Sequence, residues 1–159
     1  MRKHITTWVA LLMFVAPATA FNYIDARSDA VQLLNKQRYE KALATFRSMA
    51  DAASLKEQKT DALEHAVICL LHLKRSNEAI KAAEKIPIKG ASNASQMRIM
   101  LHNGQYQKLL NTFGDADIAS WPDYLKTRAY HDRAEAASRA GKPKRAIEDY
   151  KQALYWENR

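Results

Sequence analysis

His65, Cys69 and His72 are the residues of this 159-residue chain whose types and spacing most suggest chemistry. On a helix they stand at i, i+4 and i+7, so imidazole, thiol and imidazole share one stripe. All three are ligands for soft or borderline metals. Such a set spans two helical turns, roughly 10 Å, whereas metal–ligand bonds are about 2 Å, so only a neighbouring pair could chelate. Cys69 reads better as a small hydrophobe in a packed helix, with the histidines at the core edge, and no metal is expected. The four glycines, Gly90, Gly104, Gly114 and Gly141, cannot write a phosphate-cradling loop or a dinucleotide fingerprint. The chain contains no Gly-x-Ser-x-Gly nucleophile turn and no His-Glu-x-x-His zinc motif. It is therefore expected to be no enzyme and to need no cofactor. Lys142-Pro143-Lys144-Arg145 is basic but short, lies in a turn and is followed by Glu148 and Asp149; nucleic acid is not an expected partner. Asn93-Ala94-Ser95 fits an N-glycosylation acceptor and is expected in a loop.

The elements that must position these residues are helices. Alanine is abundant, glycine and proline number four each, and β-branched runs are scarce, which favours an all-α fold. Ala134–Leu154 holds two helix-spaced runs around a Gly-Lys-Pro break. Ala134 and Ala137 share one face of the first, and Ala146, Tyr150 and Ala153 one face of the second. Facing alanines let the two helices approach closely, with Tyr150 filling the gap above them. This is a helical hairpin that invites a stacked neighbour.

Three upstream stretches repeat the pattern. Tyr23 opens a helix with Ala26, Ala30, Leu33 and Leu34 inward, and Tyr39, Ala42, Phe46 and Met49 mark its partner. Ser54 to Glu57 is a capping box opening a helix through Leu63, Ala66, Val67, Leu70 and Leu71. Ser76 is expected to cap the next, with Ala79, Ile80, Ala83 and Ile86 on one side and Pro87 beyond its end. A short helix near Gln96, Met97, Met100 and Leu101 ends at Asn103-Gly104, and Tyr106, Leu109, Leu110 and Phe113 follow up to Gly114. Leu109 replaces an alanine, so this hairpin is expected to pack less closely. Ser120 caps and Pro122 starts the last hairpin, with Tyr124, Tyr130, Ala134 and Ala137 inward. Ala42, Ala79, Leu109 and Ala146 are corresponding positions, 37, 30 and 37 residues apart.

Tyr39-Glu40-Lys41-Ala42 followed by Phe46 resembles the second-helix opening of a tetratricopeptide (TPR) repeat, whose period is about 34. The resemblance covers Tyr23 to Trp156 and implies about four hairpins stacked in a short right-handed superhelix. A generic α-α superhelix is the alternative. In TPR proteins the first helix of each hairpin lines a concave groove. Carried over, the groove positions are Arg27, Val31 and Asn35, then Glu64, Ile68 and His72. Arg98, Leu101 and His102 follow, and Arg128, His131, Glu135 and Arg139 complete the set. The resemblance thus implies a protein or peptide partner, and the basic lean of the set suits an acidic one. The Lys and Asn of the carboxylate clamp found in chaperone-binding TPRs are missing from the first unit. Tyr155 and Trp156 near the end of the last helix form an aromatic end face that could dock another chain or a second copy, or else pack on the last hairpin.

Residues 1–20 read as a signal peptide. Arg2, Lys3 and His4 precede an apolar run from Ile5 to Ala16, and Pro17-Ala18-Thr19-Ala20 supplies small residues for cleavage before Phe21. The run is shorter than the ~20 residues that span a bilayer, so residues 21–159 are expected to carry no transmembrane helix, an uncleaved anchor being the alternative. The single cysteine allows no intramolecular disulfide, and a periplasmic or secreted domain would then rest on its core alone. The net charge of +8 raises attraction to polyanions. Two functions follow: an envelope protein-binding scaffold, or charge-driven binding to an acidic glycan or lipid headgroups.

Overall fold

The computed structural model describes residues 22–159; the expected leader, residues 1–20, and its expected cleavage point lie outside the described residues. Among the described residues eight α-helices follow one another: α1 Tyr23–Asn35, α2 Tyr39–Ala52, α3 Lys56–His72, α4 Ser76–Glu84, α5 Lys89–His102, α6 Tyr106–Phe113, α7 Asp123–Arg139 and α8 Pro143–Glu157. A 3-10 turn, Ile118–Ser120, precedes α7, and the described residues contain no strand. Consecutive helices pair as four hairpins. Each later hairpin lays its first helix on both helices of the one before, so α1, α3, α5 and α7 lie successively side by side.

The same turn closes every hairpin. Gln37, Lys74, Gly104 and Gly141 adopt positive φ angles of 58°, 59°, 69° and 71°. The next residue's N–H then reaches back to a carbonyl in the helix just ended: Arg38 to Leu33, Arg75 to Leu70, Gln105 to Met100 and Lys142 to Ala137, at 2.8–2.9 Å. This is the Schellman geometry, which satisfies orphan carbonyls and reverses the chain in few residues. The turn residues repeat at the intervals of Ala42, Ala79, Leu109 and Ala146, all at most 4% exposed. Leu109 is fully buried, and the α5–α6 hairpin is abbreviated by the eight-residue length of α6.

Several local expectations are corrected. Ser54, Ser76 and Ser120 cap no helix: the N-cap positions are Leu55, Arg75 and Pro122, without side-chain cap bonds. The turn before α4 leads straight into the helix, so Arg75 takes the cap position and Ser76 is already helical, donating to Asn103 Oδ1 at 2.8 Å. Ser120 donates instead to the Asp117 carbonyl. α5 begins at Lys89, not near Gln96, because small Gly90, Ala91, Ala94 and Ser95 bury its first turns. Asn93 is therefore half-buried in a helix and not in a loop. Tyr124 is 62% exposed, Ile80 40% and Tyr150 39%, so none of the three belongs to the core and Tyr150 does not fill the gap between α7 and α8.

Arg133 of α7 and Asp149 of α8 form a bidentate pair inside the last hairpin, 2.9 and 2.7 Å apart, with both side chains buried. The remaining guanidinium nitrogen donates to the carbonyls of Phe113, Gly114 and Ala116, satisfying the end of α6. The network therefore locks α6, α7 and α8 together.

Candidate binding cleft

Helical spacing places Glu64, Ile68 and His72 on one face of α3, Arg98, Leu101 and His102 on α5, and Arg128, His131 and Glu135 on α7. Because these helices are neighbours, their faces meet in an open cleft of about 420 Å³. Ile68, Leu71 and Leu101 line it with apolar surface, and His72, His102, His131 and Glu135 supply polar groups. Arg98 and buried Asp132 also line it, their Nε and Oδ2 atoms 3.6 Å apart. Arg128 stands beside a shallower recess with Glu64 and Arg98.

The electrostatics are more balanced than the basic residues suggest. Burial raises the Asp132 carboxyl above its ordinary range, with Arg98 opposing the shift. Burial likewise raises Glu64 to about 7; Asp61 adds to the rise, while the Tyr124 hydroxyl, donating at 3.5 Å, and Arg98 work against it. The Tyr124 hydroxyl is pushed up to about 12 by burial and by Glu64. Asp61 behaves oppositely: burial would raise it, but hydrogen bonds from Arg27 and Tyr23 hold it below its usual value.

Of the residues expected in the groove, Arg98, His102 and His131 line the cleft. Arg27 lies on α1 and is tied to Asp61 by contacts of 2.7 and 3.0 Å. Asn35, the last residue of α1, is exposed away from the cleft lining. Arg139 reaches Glu135 at 3.7 Å on the α7 surface. At the end face Tyr155 is 51% exposed, whereas Trp156 is half-buried with the Lys126 ammonium 3.8 Å above its ring.

The histidine–cysteine stripe divides among other tasks. Cys69 is fully buried, and burial pushes its thiol up to about 11. His65 Nδ1 lies 2.8 Å from the Asp61 carbonyl while its ring stacks on Phe46. His72 stacks on Tyr39 with centroids 4.4 Å apart. Among the described residues, no three His, Cys, Asp or Glu side chains converge to hold a metal ion, and no helix is long and apolar enough to cross a membrane.

Sequence reasoning missed a second cavity, of about 510 Å³, between α2, α3 and α4. Its lining includes apolar Ala50, Leu63, Ala66 and Ala82, with Lys59, Lys81 and Lys85 among its cations. Arg47 is held there by Glu78 at 2.9 Å, and the hydrogen bonds from Arg75 and Arg47 lower Glu78 to about 2. Lys81 and Lys85 share the exposed edge of α4 and its C-cap, but Lys59 comes from α3, so no single helical pattern marks the site.

Comparison with protein-family models, curated proteins and solved structures finds no match to this chain.

Proposed function

We propose that this protein is a non-catalytic interaction scaffold that holds a segment of a partner protein or peptide in the cleft between α3, α5 and α7. The carrying observation is the cleft itself: an apolar floor for an anchoring side chain, with donors and acceptors around it. A largely preformed concavity of this kind limits the ordering cost of binding. Asp132 and Glu135 beside Arg98 and the histidines make a mixed surface, so acidity alone would not select the ligand. The finer reading of the fold is a TPR-like right-handed superhelix, supported by the four repeated turns and the side-by-side packing of first helices. The leader-like residues 1–20 support export to the periplasm or outside the cell.

The second reading is charge-driven binding to an acidic glycan or lipid headgroups. It is favoured by Lys59, Lys81 and Lys85 around the other cavity and by the net charge of +8. Co-purification at low and high salt separates the two, because ionic attraction is screened while an apolar anchor is not. A stoichiometric protein retained at high salt supports the scaffold. Loss of every partner as salt rises supports the polyanion and overturns the scaffold.

A further inference from the structure

Aligning the hairpins on Ala42, Ala79, Leu109 and Ala146 brings Leu43 and Phe46 of α2, and Leu110 and Phe113 of α6, into register with Ile147 and Tyr150 of α8. In α2 and α6 these residues are 0–6% exposed, because α3 and α7 cover them; in α4, under α5, the Tyr150 counterpart Ala83 is fully buried while Ile80, the counterpart of Ile147, stays 40% exposed at the edge. On α8, which packs on α7, Ile147 is 55% exposed and Tyr150 39%, and Leu154 continues the stripe at 60%. The last hairpin thus presents the stacking face of an inner hairpin with no described element upon it.

We propose that a second copy of this chain covers the stripe, α8 against α8 in antiparallel, two-fold fashion. Head-to-tail stacking is disfavoured, because the exposed surface of α1 is polar apart from Ile24, through Asp25, Ser28, Asp29 and Gln32. The flank of α8 is instead complementary to itself. With about 3.6 residues per turn, Lys144, Glu148, Lys151 and Tyr155 fall along one edge of the stripe. Antiparallel two-fold pairing sets this edge against its own copy. The spacing of four, three and four then brings each Glu148 opposite a Lys151 and each Lys144 opposite a Tyr155, an ion pair and a cation–π pair repeated by symmetry. All four residues are exposed. A single helix face is small beside the roughly 1,200–2,000 Å² of stable complexes, so the dimer is weak and concentration-dependent.

Sedimentation equilibrium of the full chain over a wide concentration range is the test. The expected result is reversible dimerisation that Leu154→Glu abolishes, with the helical circular dichroism unchanged because Leu154 is outside the core. Glu148→Lys and Lys151→Glu should each weaken the dimer roughly tenfold by opposing like charges, and the double reversal should restore it. A monomer at every concentration overturns the proposal, as does an oligomer that survives Leu154→Glu. Single reversals that the double variant does not rescue overturn the pairing.

Discussion

Arg133 shows how much one polar side chain can hold. Its guanidinium donates to both Asp149 carboxylate oxygens and to three carbonyls at and beyond the end of α6. Arg133→Met leaves the buried Asp149 carboxylate with only the longer 3.9 Å contact to Arg145 and should destabilise the fold by about 3 kcal/mol in urea titration. Adding Asp149→Leu removes the stranded charge and should recover much of the loss, since the Phe113, Gly114 and Ala116 carbonyls keep other donors in Ala116 N–H, Arg145 and Ile118 N–H. Glu64 gives a pH signature. Its carboxyl stands at about 7 against an ordinary 4.5, so the folded chain holds that proton more tightly than the unfolded one. The resulting stability is fully present below about pH 4.5 and is lost as pH rises through 7. Glu64→Gln should flatten the urea midpoint over this window relative to the parent chain. Neither role was legible in the sequence: Arg133 and Asp149 are sixteen positions apart, and both resemble ordinary solvated residues on amphipathic helices.

At the scale of elements, hairpins were far more legible than their ends. Small residues at Ala42, Ala79 and Ala146 and the glycines at 104 and 141 mark helix faces and breaks, because close packing and positive φ restrict residue type. Ser76 was misread because the Schellman turn at Lys74 leads straight into α4 and puts Arg75 at the cap, whereas in the links before α3 and α7 the cap positions fall to Leu55 and Pro122, one and two residues beyond the nearby serines. The start of α5 was hidden because Gly90 and its small neighbours carry little apolar periodicity. Gln37 and Lys74 occupy the positive-φ position where the other two hairpins use glycine. Gln37→Gly and Lys74→Gly should therefore each stabilise the chain by roughly 0.5–1 kcal/mol, read as a raised urea midpoint. Gly90→Val should do the reverse. A Cβ there would stand 3.0 Å from Pro122 Cδ and 3.3 Å from Trp121 Cβ. Larger side chains would wedge α5 from the start of α7, a loss of about 1–3 kcal/mol.

For the whole molecule, stacking turns the faces of three separate helices into one cleft. The candidate positions on α3, α5 and α7 were legible because residues sharing a helix face are fixed by spacing once the hairpins are placed. Their electrostatics were not, since Arg98 on α5, like Arg27 on α1, meets a carboxylate that the fold brings from a different helix; only the Arg139–Glu135 pair lies within one helix, four residues apart. The lysine-rimmed cavity between α2, α3 and α4 was likewise invisible, as it exists only after assembly. The two surfaces make the central claim directly testable by position. A photoreactive side chain would be placed at Leu101 in the cleft, or at Lys81 in the lysine-rimmed cavity, of the full chain in its native cells. The account predicts one discrete protein adduct from position 101 and none from position 81. Adducts from position 81 alone, or none from 101 while the chain remains folded, would contradict it.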